Sequence, residues 1–327
     1  AVEWEPSPVK ELRNHLKNRW GIQDSEERVL QFDIQRTEEL FNGWKDKKFG
    51  ESKGLDALVG NRQLDVIIGG PPCQAYSVAG RIRDEHGMRE DYRNYLFESY
   101  LKVVQHYKPR VFVFENVPGI LSAKPGDGSV RIIDLIQKAF ADAGYAVLPD
   151  LSNAIIDMTE YGVPQNRKRI IILGVSKEHY GDKAEAMVEK FYSSYLPEYK
   201  IEKKATVRDA IGDLPKLRPL DEPISYLGRK LSHSVSDPLI NGHISRFHNK
   251  RDIELFKFLE EDIASGRMKY TSAKSLKTLY TKLTGKTSNV HKYYVLRWDE
   301  PSNLIPAHLF KDGLRHIHPD PEQARTI

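Results

Sequence analysis

The chain has 327 residues, 39% hydrophobic and 29% charged, with 50 Lys and Arg against 46 Asp and Glu and a single cysteine. These are the proportions of a soluble globular protein, long enough for one large or two modest domains, each with its own core. One cysteine excludes an internal disulfide and a multi-thiolate metal centre; no apolar run nears the ~18 residues of a membrane span, and the opening AVEWEPSPVK lacks the pattern of a signal peptide, so the expected location is the cytoplasm.

In chain order, Ala1 to Trp4 reads as the end of a strand and Pro8 to Asn18 as a helix. Leu64 to Ile68 reads as a buried strand, stopped by Gly69-Gly70-Pro71-Pro72. Leu96, Tyr100, Val103, Val104 and Tyr107 recur at helical spacing, and Pro109 ends that helix before the strand Val111 to Phe114. A second helix carries Val130, Ile133, Ile136, Ala139 and Phe140 on one face, with Gly144 placed to terminate it. Arg169 to Val175 is a third strand. Strands alternating with helices imply an α/β class, here a doubly wound, Rossmann-like domain on a parallel sheet with crossover helices.

Beyond about Pro219 the alternation breaks down, leaving an amphipathic stretch at Ile253 to Leu259 and a lysine-rich run from Lys269 to Lys292. A smaller second domain is expected there. The span Arg246 to Arg297 holds twelve Lys or Arg and five Asp or Glu, so it carries +7 while the rest of the chain carries −3. Such an asymmetry points to a phosphate-rich partner.

In open α/β sheets ligands bind beyond the carboxyl ends of the strands. Pro71-Pro72-Cys73-Gln74 follows one strand, Glu115-Asn116-Val117 another, and Gln165-Asn166-Arg167-Lys168-Arg169 leads into the third. A thiol, a carboxylate and a pair of arginines meeting in one crevice suit nucleophilic catalysis on an electron-poor ring.

The segment Gly69 to Ser77, with Glu115 to Val117 and Gln165 to Arg169 in the same order and at the same spacings, resembles the catalytic motifs of bacterial DNA cytosine-5 methyltransferases of the restriction–modification type. The resemblance implies that Cys73 is the nucleophile that adds to C6 of cytosine, that Glu115 holds N3, and that Arg169 and Arg167 neutralise charge near O2. It implies a substrate pocket that includes Pro72, Gln74, Ser77, Asn116, Val117 and Gln165. For the cofactor, S-adenosyl-L-methionine, it implies contacts from Glu3, Trp4, Asp33, Ile34, Pro72 and Leu96. Its other implied partner is double-stranded DNA, with the target base flipped out of the stack.

The segment Ala79 to Asn94, rich in arginine, matches the family's catalytic loop and offers Arg81 and Arg83 to DNA. The basic second domain offers Arg246, Lys250, Arg251, Lys274, Lys277 and Lys286. By this resemblance residues 1–218 form the catalytic domain, 219–293 a target-recognition domain and 294–327 a return segment to the catalytic domain. A metal pair at His316 and His318 is not expected within such a return segment. A cognate restriction endonuclease is a functional rather than a physical partner, and a monomer suffices for one active site per chain. The family's first glycine-rich motif and its last motifs are absent, so a fragment of a longer enzyme is expected. The competing readings are an RNA cytosine-5 methyltransferase and an inactive or split DNA-binding fragment.

Overall fold

Residues 1–71, 96–124, 130–306 and 313–327 are described in the computed structural model. They pack as two units, Ala1–Ile156 with Lys168–Glu198, and Asp157–Arg167 with Tyr199–Ile327. The expected boundaries at 219 and 294 are therefore not those of the packing. Residues 199–218 and 294–327 fall in the second unit, where Val295, Ile317 and Ala324 join a core with Leu255, Phe256 and Leu276.

The first unit opens with β1 (Val2–Glu3), α1 (Pro6–Trp20) and β2 (Leu30–Gln31). Pro6 opens α1, where a missing N–H costs nothing, and Gly21, with φ +68°, ends it in the left-handed conformation. The strands β1 and β2 pair in parallel, Glu3 opposite Gln31. Arg13 of α1 ties this unit together by donating to Val29 O at 2.7 Å. Next come α2 (Thr37–Asn42) and a hairpin of β3 (Trp44–Asp46) and β4 (Gly50–Ser52), over a small core of Leu30, Phe32, Leu40 and Trp44.

The main sheet is built from β5 (Val66–Gly69), β6 (Val111–Asn116), β7 (Tyr145–Ala146), β8 (Ile155–Asp157) and β9 (Lys168–Ser176), in the order β5-β6-β9-β7 with β8 also on β9. Alternation explains its core: Phe112 and Phe114 of β6 and Ile170 and Ile172 of β9 are fully buried, and α3 (Leu96–Tyr107) and α4 (Ile132–Asp142) supply Tyr100, Val104, Ile136 and Phe140. Gly144, with φ +85°, follows α4 as its sequence position implies.

One expectation is corrected. The strands β5 and β6 are parallel, but β9 runs antiparallel to both β6 and β7, so the sheet is mixed. Apolar alternation has the same period in either direction, so Arg169 to Val175 carries no mark of its polarity.

In the second unit, β10 (Pro219–Tyr226) and β11 (Arg229–His233) form an antiparallel hairpin. Two helices follow, α5 (Lys250–Ala264) and α6 (Ala273–Thr284), whose N-cap side chains Asn249 and Ser272 accept from the N–H of Asp252 and Ser275. The helix α6 lies inside the lysine-rich run from Lys269 to Lys292. Its signals are the Ser272 cap, Leu276 and Leu279 on one face, and Gly285 with φ +69° at its end.

Candidate active site

Three strand ends converge because of their register. In the parallel pair Gly69 stands opposite Phe114, so Gly70 lies beside Glu115. In the antiparallel pair Asn116 stands opposite Ile170, so the N-terminal end of β9 reaches the carboxyl end of β6. A parallel β9 would have put Arg169 at the opposite end of the strands, beside the start of β6. Reversal brings Arg169 Nε to 2.7 Å from Glu115 Oε1. The arginine side chain is 12% exposed and the glutamate 38%, so the pair is anchored from the protein side with the carboxylate facing outward.

Glycine at position 70 is required by this approach. A Cβ there would stand 2.8 Å from Glu115 Oε2. At Gly69 a Cβ would run into the ring of Tyr100, whose hydroxyl donates to Val113 O at 3.0 Å and whose burial pushes its pKa up. Asn116 is 4% exposed; its Nδ2 donates to Pro71 O at 3.4 Å and its Oδ1 accepts from Val117 N–H at 2.9 Å. It acts as a strut between the glycine–proline turn and the strand that carries Glu115.

Four of the expected cofactor residues, Glu3, Trp4, Asp33 and Ile34, are also brought together. Parallel pairing of β1 and β2 sets Glu3 and Trp4 beside the chain that continues through Phe32 to Asp33, with Phe32 N donating to Glu3 O at 3.0 Å. Trp4 is 45% exposed. Glu3 Oε1 accepts from Glu5 N–H at 2.9 Å, and Asp33 Oδ1 from Gln35 N–H at 3.0 Å. Ile34 packs on the Phe32 core, and Leu96 is buried at the start of α3. An accessible indole next to two carboxylates fits the flat base and the hydroxyls of a nucleoside. Sequence reading missed Lys48 and Phe49 of the β3–β4 hairpin: Lys48 Nζ stands 3.8 Å from the Trp4 ring centre and Phe49 meets that ring edge-on at 5.5 Å. Nothing in their spacing announces it, since the hairpin must fold before they reach Trp4.

Other expected residues are placed differently. Arg167 and Gln165 belong to the second unit, so the division runs between the two arginines expected to act together. Gln165 Oε1 is buried without a hydrogen-bond partner among the described residues. Of the basic side chains, Lys274 and Lys286 are exposed and Lys277 half-buried. Lys250 pairs with Glu222 at 3.2 Å, Arg251 pairs with Asp252 at 2.8 Å, and burial lowers the pKa of the half-buried Arg246. Pro72, Cys73, Gln74, Ser77, Arg81 and Arg83 lie outside the described residues, as does the segment 79–94.

The fold is that of a methyltransferase. The chain matches, over its whole length and 78% of the other, a crystal structure of an E. coli prophage protein described as a DNA modification methyltransferase, with a TM-score of 0.52 at 20% identity. The family is narrower than the fold: the family model for C-5 cytosine-specific DNA methylases matches residues 38–313, and the chain belongs to that family. It is 35% identical over 288 residues to the type II methyltransferase M.Bpa9945I of Bacillus paralicheniformis, covering 81% of this chain and 60% of the relative. To the type II methyltransferase M.AgeI of Thalassovita gelatinovora it is 29% identical over 334 residues, covering 84% of this chain and 74% of the relative.

Proposed function

We propose that the protein methylates C5 of a flipped-out cytosine in double-stranded DNA, using S-adenosylmethionine and a covalent adduct between Cys73 and C6. The observation that carries this reading is the Glu115–Arg169 pair at 2.7 Å beside the glycine turn that leads to Cys73.

The chemistry follows from the residue types. C5 of cytosine is a poor nucleophile, and addition of the Cys73 thiolate to C6 turns the ring into an enamine whose C5 is nucleophilic. That addition pushes negative charge into the ring. The acid form of Glu115 gives N3 its proton or donates a hydrogen bond there, and Arg169, behind it, holds the carboxyl group in place, balances the carboxylate left when the proton moves, and adds positive charge near O2. S-adenosylmethionine, when bound, supplies an electrophilic methyl group. After methylation, a base takes the C5 proton, the C5 electrons re-form the double bond, and the Cys73 thiolate leaves from C6. Glu3, Trp4 and Asp33 would hold the nucleoside part of the cofactor through hydroxyl, stacking and amine contacts.

Within the second unit, residues 219–293 are read as the target-recognition part, with Lys274, Lys277 and Lys286 on phosphates and salt-dependent binding as the consequence. The relatives' naming as type II methyltransferases supports a role paired with a restriction endonuclease. Among the described residues no helix is long and apolar enough to cross a membrane; the cytoplasm and a monomer belong to the same reading.

Trapping tests the mechanism. The complete protein, incubated with S-adenosylmethionine and duplex DNA containing 5-fluorocytosine, is expected to give an adduct that survives denaturing electrophoresis, because fluorine cannot leave as the C5 proton does. Cys73→Ala is expected to abolish it, and an adduct that persists in that variant refutes the assignment. Competition by tRNA but not by duplex DNA would transfer the reading to RNA.

A further inference from the structure

The β10–β11 hairpin closes on a two-residue loop, since Tyr226 pairs with Arg229 and leaves Leu227 and Gly228 at the tip. Both have positive φ, +49° at Leu227 and +73° at Gly228, the geometry of a type I′ turn. Glycine suits its position. Leucine does not: its Cβ crowds the backbone in the left-handed region, and the first place in such a turn favours asparagine or aspartate. Leu227 is also the most exposed of the large hydrophobic side chains described, at 77%.

A strained backbone and a wetted aliphatic side chain thus coincide at one residue, and the hairpin does not need that side chain for its own stability. Its apolar anchor is Leu231, 2% exposed, on the opposite strand. Met268, the other exposed hydrophobic residue at positive φ among the described residues, differs in having a local reason: its N–H donates to Asp262 O at 3.2 Å and closes the turn after α5. The surroundings of Leu227 are cationic. Arg229 and Lys230 are exposed, and no Asp or Glu occurs between Glu222 and Asp237.

We propose that Leu227 reads a base pair: the hairpin tip enters the major groove of duplex DNA, where the leucine packs on the 5-methyl group of a thymine while Arg229 and Lys230 meet the flanking phosphates. The inference rests on the reading of the chain as a DNA methylase. Two cations with no acid suit a polyanion, and the thymine methyl is the apolar group that base edges present in that groove. An apolar contact recovers what exposure of Leu227 costs the free protein, and it discriminates T·A from C·G.

The test uses the complete protein expressed in a host without cytosine-5 methylation, with bisulfite sequencing of host DNA to define the methylated motif. The wild-type motif is expected to contain a T·A pair at which Leu227→Asn relaxes discrimination at least tenfold, while Leu227→Met keeps it. The purified asparagine variant is expected to melt at the same or a higher temperature, because asparagine suits the turn. A motif made of G·C pairs alone, or one unchanged by Leu227→Asn, would overturn the proposal and leave the methylase reading intact. An unchanged motif is also what a tip serving a protein partner would give. No methylation by the wild type would overturn that reading and the inference with it.

Discussion

Replacing Gly70 by alanine isolates the placement of Glu115 from its chemistry. The new Cβ would lie 2.8 Å from Glu115 Oε2, whereas carbon and oxygen in contact settle at about 3.3 Å. The carboxylate must therefore retreat by about 0.5 Å, against its 2.7 Å bond from Arg169. Gly70 is not among the glycines at positive φ, so alanine meets no backbone obstacle, and stability is expected to change by less than about 1 kcal/mol. Misplacement by ~1 Å can cost ~100-fold in rate, so about half that shift predicts roughly a tenfold loss in single-turnover methyl transfer. The assay is transfer of labelled methyl to duplex DNA at saturating cofactor, with thermal melting in parallel. In a Glu115→Gln background the alanine should add little, because the group it displaces is already altered. Gly70→Ala with the wild-type rate, or with an undiminished further loss in the Glu115→Gln background, refutes the argument that this glycine serves the carboxylate.

Further expectations concern stability. Gly174 on β9 lies under the ring of Phe112, and a Cβ there would overlap it; Gly174→Ala should therefore destabilise by about 1–3 kcal/mol in urea unfolding, more than Gly70→Ala. His248 and His318 are held neutral by burial, with pKa values lowered to about 4 and about 3. Unfolded histidines titrate near 6.5, so their contribution is complete above that pH and is lost as pH falls toward 3 to 4; acid unfolding should be steeper than in His318→Gln. Glu260 is fully buried, and burial pushes its pKa up to about 9 although the charge and the backbone N–H of Arg325 both pull it down. A raised acid pKa gives stability that is complete below the unfolded value near 4.5 and lost as pH rises toward 9. Glu260→Gln should thus be the more stable protein at pH 8 and equal to wild type at pH 4; the opposite result at pH 8 would mean that Glu260 is charged and paired with Arg325.

Much of the first unit is legible along the chain. The helices at 96–107 and 132–142 declare themselves by period and by Gly144, and the strands that end at Gly69 and Asn116 by apolar runs that stop at polar or glycine–proline clusters; the burial expected of the first of these strands is not found, since β5 ends the sheet order with Val66 and Ile68 exposed. The second unit is far less so. The hairpin at 219–233 is exposed along most of β10 and shows no clean alternation, and α6 is written largely in lysine, serine and threonine, with Leu276 and Leu279 as its buried side chains. Its core borrows Val295, Ile317 and Ala324 from the C-terminal stretch, a long-range grouping that no local pattern encodes.

Residue order and type alone carry the chemical inventory: one cysteine after a glycine–proline turn, a glutamate after a strand, arginines before another, and an acid and an indole after the first. These are local facts, set by which side chains can act and where a strand must stop. Their assembly was left to packing. Side-chain alternation is blind to strand direction, so only the folded sheet turns β9 around and delivers Arg169 to Glu115. The separation of Arg167 from Arg169 and the approach of Lys48 to Trp4 have the same origin, since each depends on pairings between segments that do not adjoin in the chain.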